Sequence, residues 1–158
     1  MRILTVAAFV SALTIIAGST TALADANTDF LTANAKKPGV KLAAGGLQYK
    51  VIKSGKGARP RLSDCVSVYY KGSFVDGRVF DQSQPGQPIS FPVGRVIAGW
   101  TEALRMMRAG DEWELFIPST LGYGATGTPG GPIPGGATLI FDVTLLTVSP
   151  SQMGQCRG

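Results

Sequence analysis

The apolar positions of the chain change period from two to nearly 3.6 and back, and that change sets out the elements. Leu47, Tyr49 and Val51 alternate with Gln48 and Lys50, and Val66, Val68 and Tyr70 alternate again within CVSVYYKGSF. A two-residue period places successive side chains on opposite faces, so both stretches are expected to be half-buried strands. Gly72-Ser73 is expected to break the second strand, and Asp76-Gly77 to turn the chain back toward Val79-Phe80. The segment PGQPISFPVG is too rich in Pro and Gly for more than a short edge piece around Ile89 to Phe91.

The period lengthens in GRVIAGWTEALRMMRAG. Val96, Trp100, Ala103, Leu104 and Met107 fall at helical spacing on one apolar face, and Gly110 is placed to end the helix. Alternation returns in DEWELFIP through Trp113, Leu115 and Ile117, and in ATLIFDVTLLTV through Leu139, Phe141, Val143 and Leu145. Between them lies STLGYGATGTPGGPIPGG, Ser119 to Gly136, a loop of the length that usually serves binding. The expected fold class is α+β, a twisted antiparallel β-sheet wrapped around one short α-helix.

Upstream of the first strand the pattern is different. Met1 to Ala24 reads as a secretory signal peptide, with Arg2 as the positive start, an apolar run from Ile3 to Ile16 and Ala22-Leu23-Ala24 as a small-x-small cleavage site. An exported protein, periplasmic or secreted, is therefore expected. The apolar run falls short of the roughly 20 residues that span a bilayer, so no stable membrane insertion is expected. Residues 25–45 read as a flexible lead-in with at most a short helical turn near Thr28 to Ala35, 46–149 as the folded domain and 150–158 as a C-terminal tail.

Composition adds limits. A chain of 158 residues with 44% hydrophobic and 16% charged content suits one globular domain. The net charge of +5 is uneven: Lys36, Lys37, Lys41, Lys50, Lys53, Lys56, Arg59 and Arg61 fall in a stretch without Asp or Glu. That stretch reads either as a solvated strand and loop edge or as a footprint for an acidic surface. No nucleic-acid recognition motif accompanies it, so nucleic acid is not an expected partner. Two cysteines, Cys65 and Cys156, leave open one disulfide or two free thiols. The strand begun by Cys65 has the final strand as its plausible antiparallel neighbour, which would bring it near the tail. With no histidine in the chain, neither a His/Cys metal site nor a histidine general base is available, and no Gly-x-Ser-x-Gly or phosphate-binding loop is present. No metal and no cofactor are expected.

The remaining candidates are large side chains near loops: Tyr70, Phe80, Ile97, Trp100, Tyr123, Ile133 and Phe141. Core packing is the simplest role for each. Two details fit it less well. Tyr123 sits between glycines in LGYGATG, and the Asp81 carboxylate directly follows the apolar pair Val79-Phe80, where it must find a partner or stay wet.

The motifs VSVYYKG, GRVFDQS, PISFPVGRVIAGW, IPSTLGYG and IPGGATLIFDVTLL, in that order over roughly Gly45 to Val148, closely resemble the peptidyl-prolyl isomerases of the FKBP type, the immunophilins that bind tacrolimus and rapamycin. The resemblance implies a pocket between helix and sheet, with Asp81 and Tyr123 as catalytic residues. Tyr70, Phe80, Val96, Ile97, Trp100, Ile133 and Phe141 would bind substrate. Trp100 would be the floor, the Ile97 N–H and Tyr123 hydroxyl would donate to substrate carbonyls, and Ile133 and Phe141 would close the far wall. Asp81 would be either a structural carboxylate held by the Tyr70 hydroxyl or a negative group beside the rotating carbonyl. The implied partners are proline-containing polypeptides, with tacrolimus or rapamycin-type macrolides as inhibitors, and the implied state is a monomer that assists folding of exported proteins. The alternative is a proline-segment-binding or chaperone module with incidental catalysis, docking through the basic stretch. Three positions depart from the family: Ile89 where many members have a phenylalanine, Thr128 where some have a histidine, and Gly135-Gly136 in place of a stiffer turn, which is expected to loosen the flap.

Overall fold

The computed structural model describes residues 19–156. Most of the expected signal peptide lies outside them, and Ser19 to Ala24 form the start of helix α1 (Ser19–Asn34). The strands are β1 (Val40–Leu42), β2 (Gln48–Lys53), β3 (Asp64–Phe74), β4 (Val79–Gln82), β5 (Ile89–Pro92), β6 (Glu112–Ile117) and β7 (Leu139–Pro150), with helix α2 (Ala98–Met106) between β5 and β6. They form one antiparallel sheet in the order β1-β2-β6-β7-β3-β4, with β5 also paired to β3.

The inner face of the sheet carries the core. Val66, Val68, Leu115, Ile117, Leu139, Val143 and Leu145 pack there against Trp100, Ala103, Leu104 and Met107. Helix α2 is seated by a glycine: a Cβ at Gly99 would stand 2.6 Å from Ile117 Cγ2, so only a bare backbone lets its first turn rest on β6. The turn before it is tied down by the Thr101 hydroxyl, which donates to the Val93 carbonyl at 2.8 Å. The helix is shorter than its apolar pattern. Val96 precedes it and Met107 caps it, both still facing the core, and Gly110 serves a later turn at φ +94°.

Two expectations are corrected. Strand β3 runs unbroken through Gly72-Ser73, because this glycine answers a close approach and not a turn: a Cβ there would lie 2.7 Å from ring atoms of both Phe80 and Phe141. Only the pairing of β3 with β4 shifts register at that point. Second, 25–45 is not a loose lead-in, the fold does not wait for Gly46, and the sheet is accompanied by two α-helices among the described residues, not one. Strand β1 pairs with β2, and α1 covers the outer face of the sheet. Gln48 and Phe116 are register partners that point away from the core side chains of Tyr49 and Leu115. The Phe30 ring lies 6.0 Å from that of Phe116, Asn34 Nδ2 donates to Gln48 Oε1 at 2.9 Å, and Gln48 Nε2 donates to the Leu31 carbonyl at 2.9 Å. The Thr138 N–H donates to Asn27 Oδ1 at 2.7 Å. These contacts all come from Asn27 onward, so removal of the chain up to Ala24 would keep them. A helix held by one ring pair and polar bonds needs no apolar stripe, which is why periodicity passes over it.

Of the two thiol states left open, the structure has the disulfide. Cys65 and Cys156 are bonded with Cα atoms 5.6 Å apart, across a sequence separation of 91 residues. The β3 and β7 register places Ser149 opposite Cys65 and so delivers the tail to it.

Candidate functional site

Between α2, the inner face of the sheet and the loop after β6 lies a cavity of about 430 Å³, within the usual range for small-molecule sites. Its lining is largely apolar: Phe80, Ile89, Phe91, Val96, Ile97, Trp100 and Phe141, with Tyr70, Tyr123, Asp81 and Arg95 contributing polar groups.

Trp100, 5% exposed, lies in the first turn of α2. Three rings meet it at steep angles: Tyr70 at 5.6 Å and 87°, Phe91 at 5.4 Å and 68°, and Phe141 at 5.2 Å and 85° between planes. Edge-to-face contacts satisfy the ring quadrupoles and fix the indole in one orientation. Phe141 is itself steadied by Phe80, 5.6 Å away and perpendicular to it. The floor is therefore rigid before anything binds.

The polar groups stand around that floor. The Tyr70 hydroxyl donates to Asp81 Oδ2 at 2.7 Å, joining β3 to β4 across the sheet edge. Burial, and then this bond to a carboxylate, push the Tyr70 hydroxyl up to about 12, so it keeps its proton at any physiological pH. The carbonyl of Ile97 accepts from Trp100 N–H at 3.0 Å and Thr101 N–H at 3.1 Å, whereas the Ile97 N–H has no acceptor among the described residues. Tyr123 is 40% exposed at the cavity mouth. Its loop is organised from within: the Gly127 N–H donates to the Tyr123 carbonyl at 3.1 Å, and the Gly136 N–H to the Gly124 carbonyl at 2.9 Å.

Of the residues expected in the site, Tyr70, Phe80, Asp81, Val96, Ile97, Trp100, Tyr123 and Phe141 line the cavity together. Ile133 does not. It is buried in the core at 6% exposure under the loop, where its N–H donates to Thr128 Oγ1 at 3.0 Å. The two departures in this loop act on its fold. Thr128 closes the turn onto Ile133, and Gly135 lets the chain approach Ala125 so closely that a Cβ would overlap its carbonyl oxygen. Phe91 and Arg95 were not among the expected site residues, and Ile89 was noted only as a departure. The two-residue period carries the missing signal: Ile89 and Phe91 share one face of β5, and both reach the cavity.

Comparison with known proteins agrees with this geometry. The family model described as FKBP-type peptidyl-prolyl cis-trans isomerase matches residues 56–146, and that of the domain amino-terminal to such isomerases matches residues 12–51. The chain is 50% identical over 120 residues to the outer membrane protein MIP of Legionella longbeachae, covering 75% of this chain and 51% of that protein. It is likewise 50% identical over 126 residues to the peptidyl-prolyl cis-trans isomerase Mip of Coxiella burnetii, covering 79% of this chain and 54% of that one. The chain thus spans about half the length of these relatives. Among solved structures it resembles a peptidyl-prolyl cis-trans isomerase from Pseudomonas syringae, with a TM-score of 0.78 and 39% identity over 84% of this chain and 97% of that one. It also resembles FkpA from Escherichia coli, with a TM-score of 0.79 and 42% identity over 84% of this chain and 62% of that one.

Proposed function

Since the chain belongs to the FKBP-type peptidyl-prolyl cis-trans isomerases, we propose that its cavity catalyses rotation about Xaa-Pro bonds in exported polypeptides. The observation that carries this is the Trp100 floor, fixed by three ring edges beside an Ile97 N–H that has no acceptor among the described residues.

Rotation about a prolyl bond crosses a barrier of about 18–20 kcal/mol that arises from amide resonance. No covalent bond forms or breaks, so a nucleophile is not required. The planar amide is polar and well hydrated, and the twisted amide has lost part of that charge separation. An apolar cavity that strips water therefore raises the ground state more than the transition state. The proline ring stacks on Trp100, the Ile97 N–H and the Tyr123 hydroxyl hold the flanking carbonyls, and Phe80 and Phe141 exclude water. Asp81 keeps one carboxylate oxygen on Tyr70 and presents negative charge at the edge of the same cavity. Ile133 acts from the core beneath the loop.

The active unit is proposed as a monomer. The same apolar cavity suits a tacrolimus-type macrolide as a competing occupant. The pattern of residues 1–24 supports export, and a Cys65–Cys156 disulfide suits an oxidising compartment. No helix among the described residues is long and apolar enough to cross a membrane.

The test is the rate of cis to trans conversion of a Leu-Pro peptide with purified protein, with and without a tacrolimus-type macrolide. Acceleration that the macrolide abolishes is expected. An unchanged rate, or acceleration indifferent to the macrolide, overturns the assignment.

A further inference from the structure

We propose that Arg95 determines specificity, forming a subsite that selects an acidic side chain flanking the proline; this rests on reading the cavity as a prolyl-isomerase site. Among the described residues that line the cavity, two carry charge, Asp81 and Arg95. Asp81 is engaged by the Tyr70 hydroxyl. Arg95 makes neither an ion pair nor a hydrogen bond among the described residues. A guanidinium left unpaired at the rim of an apolar cavity attracts a carboxylate more strongly than one in bulk water, because the effective dielectric is lower. Its planar fork also matches a carboxylate through paired N–H donors.

The tail packs against Arg95 from behind. It ends the helical turn Val93–Arg95, and it also lines a second cavity with Leu62, Ser63, Ser151 and Gly154. There the tail folds into a tight reversal, in which Gln152 and Gln155 exchange backbone hydrogen bonds of 3.0 Å around Met153 and Gly154, at φ +52° and +72°. Gly154 comes so near that a Cβ on it would lie 3.2 Å from Arg95 Nη2. Cys156, next after this reversal, is bonded to Cys65 in β3. The disulfide thus keeps the tail against one side of the guanidinium and makes Arg95 part of a built wall.

The experiment compares peptides containing one proline that differ only in Glu or Gln, placed in turn at each of the two positions before and after the proline. At one position or more, the Glu peptide is expected to show a kcat/KM about two- to fivefold higher, the range of a partly exposed ion pair. The ratio should collapse toward one in high salt and in Arg95→Gln, and invert in Arg95→Glu. Cys156→Ser, which frees the tail, should lower the ratio while the Gln peptides turn over at the wild-type rate. A wild-type ratio of one at every position, or a preference that Arg95→Gln leaves intact, overturns the subsite; a ratio unmoved by Cys156→Ser overturns the role of the tail. The Gln peptides report the isomerase reading separately. If none of the peptides is turned over, that reading fails, and tryptophan fluorescence titration of Glu against Gln peptides still decides whether Arg95 selects charge.

Discussion

Helices α1 and α2 cover opposite faces of one sheet and are held there by different chemistry. On the outer face α1 is fixed by polar bonds from Asn27, Asn34 and Gln48 and by one ring pair, Phe30 and Phe116. On the inner face α2 sits on Ile117 through Gly99, and its first turn carries Trp100 into a set of rings. The outer contact pairs the Asn34 and Gln48 amide N–H groups within the fold, and its side chains do not line the cavity under α2. The inner contact leaves Arg95, the Ile97 N–H and the Tyr123 hydroxyl turned to a cavity that the chain does not fill. The difference separates a layer that stabilises from one that acts, and each can be disturbed alone.

The largest effect is expected where both properties meet. Gly99→Val places branched carbon against Ile117, which should cost about 3 kcal/mol in urea unfolding and, by displacing the Trp100 floor, lower kcat/KM by roughly 100-fold. Asp81→Val should lower kcat/KM by about tenfold or more with a smaller loss of stability, since it removes a charged hydrogen-bond partner at the cavity edge. An unchanged kcat/KM would leave Asp81 a purely structural carboxylate. Trp100→Leu should cost less than about tenfold, because an aliphatic floor still excludes water. On the outer face, Asn34→Ala should remove about 1–2 kcal/mol of stability through the bond to buried Gln48, with kcat/KM at the wild-type value. A loss of activity there would erase the distinction between the faces.

The smallest effect is a titration. Because the Tyr70 pKa is raised from 10.0 to about 12, its contribution is fully present below pH 10 and is lost as pH rises toward 12. Near neutral pH, stability should therefore not change with pH through Tyr70. Phenolate absorbance should show one late-ionising tyrosine that Tyr70→Phe removes.

The inner face was legible in the sequence and the outer face was not, for a physical reason. Strands and a helix that bury one face repeat their apolar residues at the period of the element, so Val66, Val68, Leu115, Ile117, Leu104 and Met107 announced their core positions. Among the described side chains of helix α1, little beyond Phe30, Leu31 and Asn34 turns inward, and polar bonds leave no period. Gly72 misled in another way: glycine marks turns, yet here it makes room for the Phe80 and Phe141 rings. The cavity residues were found through motifs that lie close together in the chain. Ile133 was placed one layer too far out, since the loop's internal hydrogen bonds, which draw it into the core, leave no trace in composition. Arg95 stayed unnoticed because a single basic residue beside an apolar motif reads as solvated until the tail is seen folded against it.

The central claim, that catalysis belongs to the inner cavity, is tested most directly by exchange NMR on a Leu-Pro peptide while the Trp100 indole N–H is followed in the same sample. Cis and trans peptide signals should interconvert far faster than the spontaneous rate, the indole signal should shift on peptide addition, and a tacrolimus-type macrolide should reverse both. A shifted indole signal with exchange still at the spontaneous rate would contradict the account and leave the cavity a binding site alone.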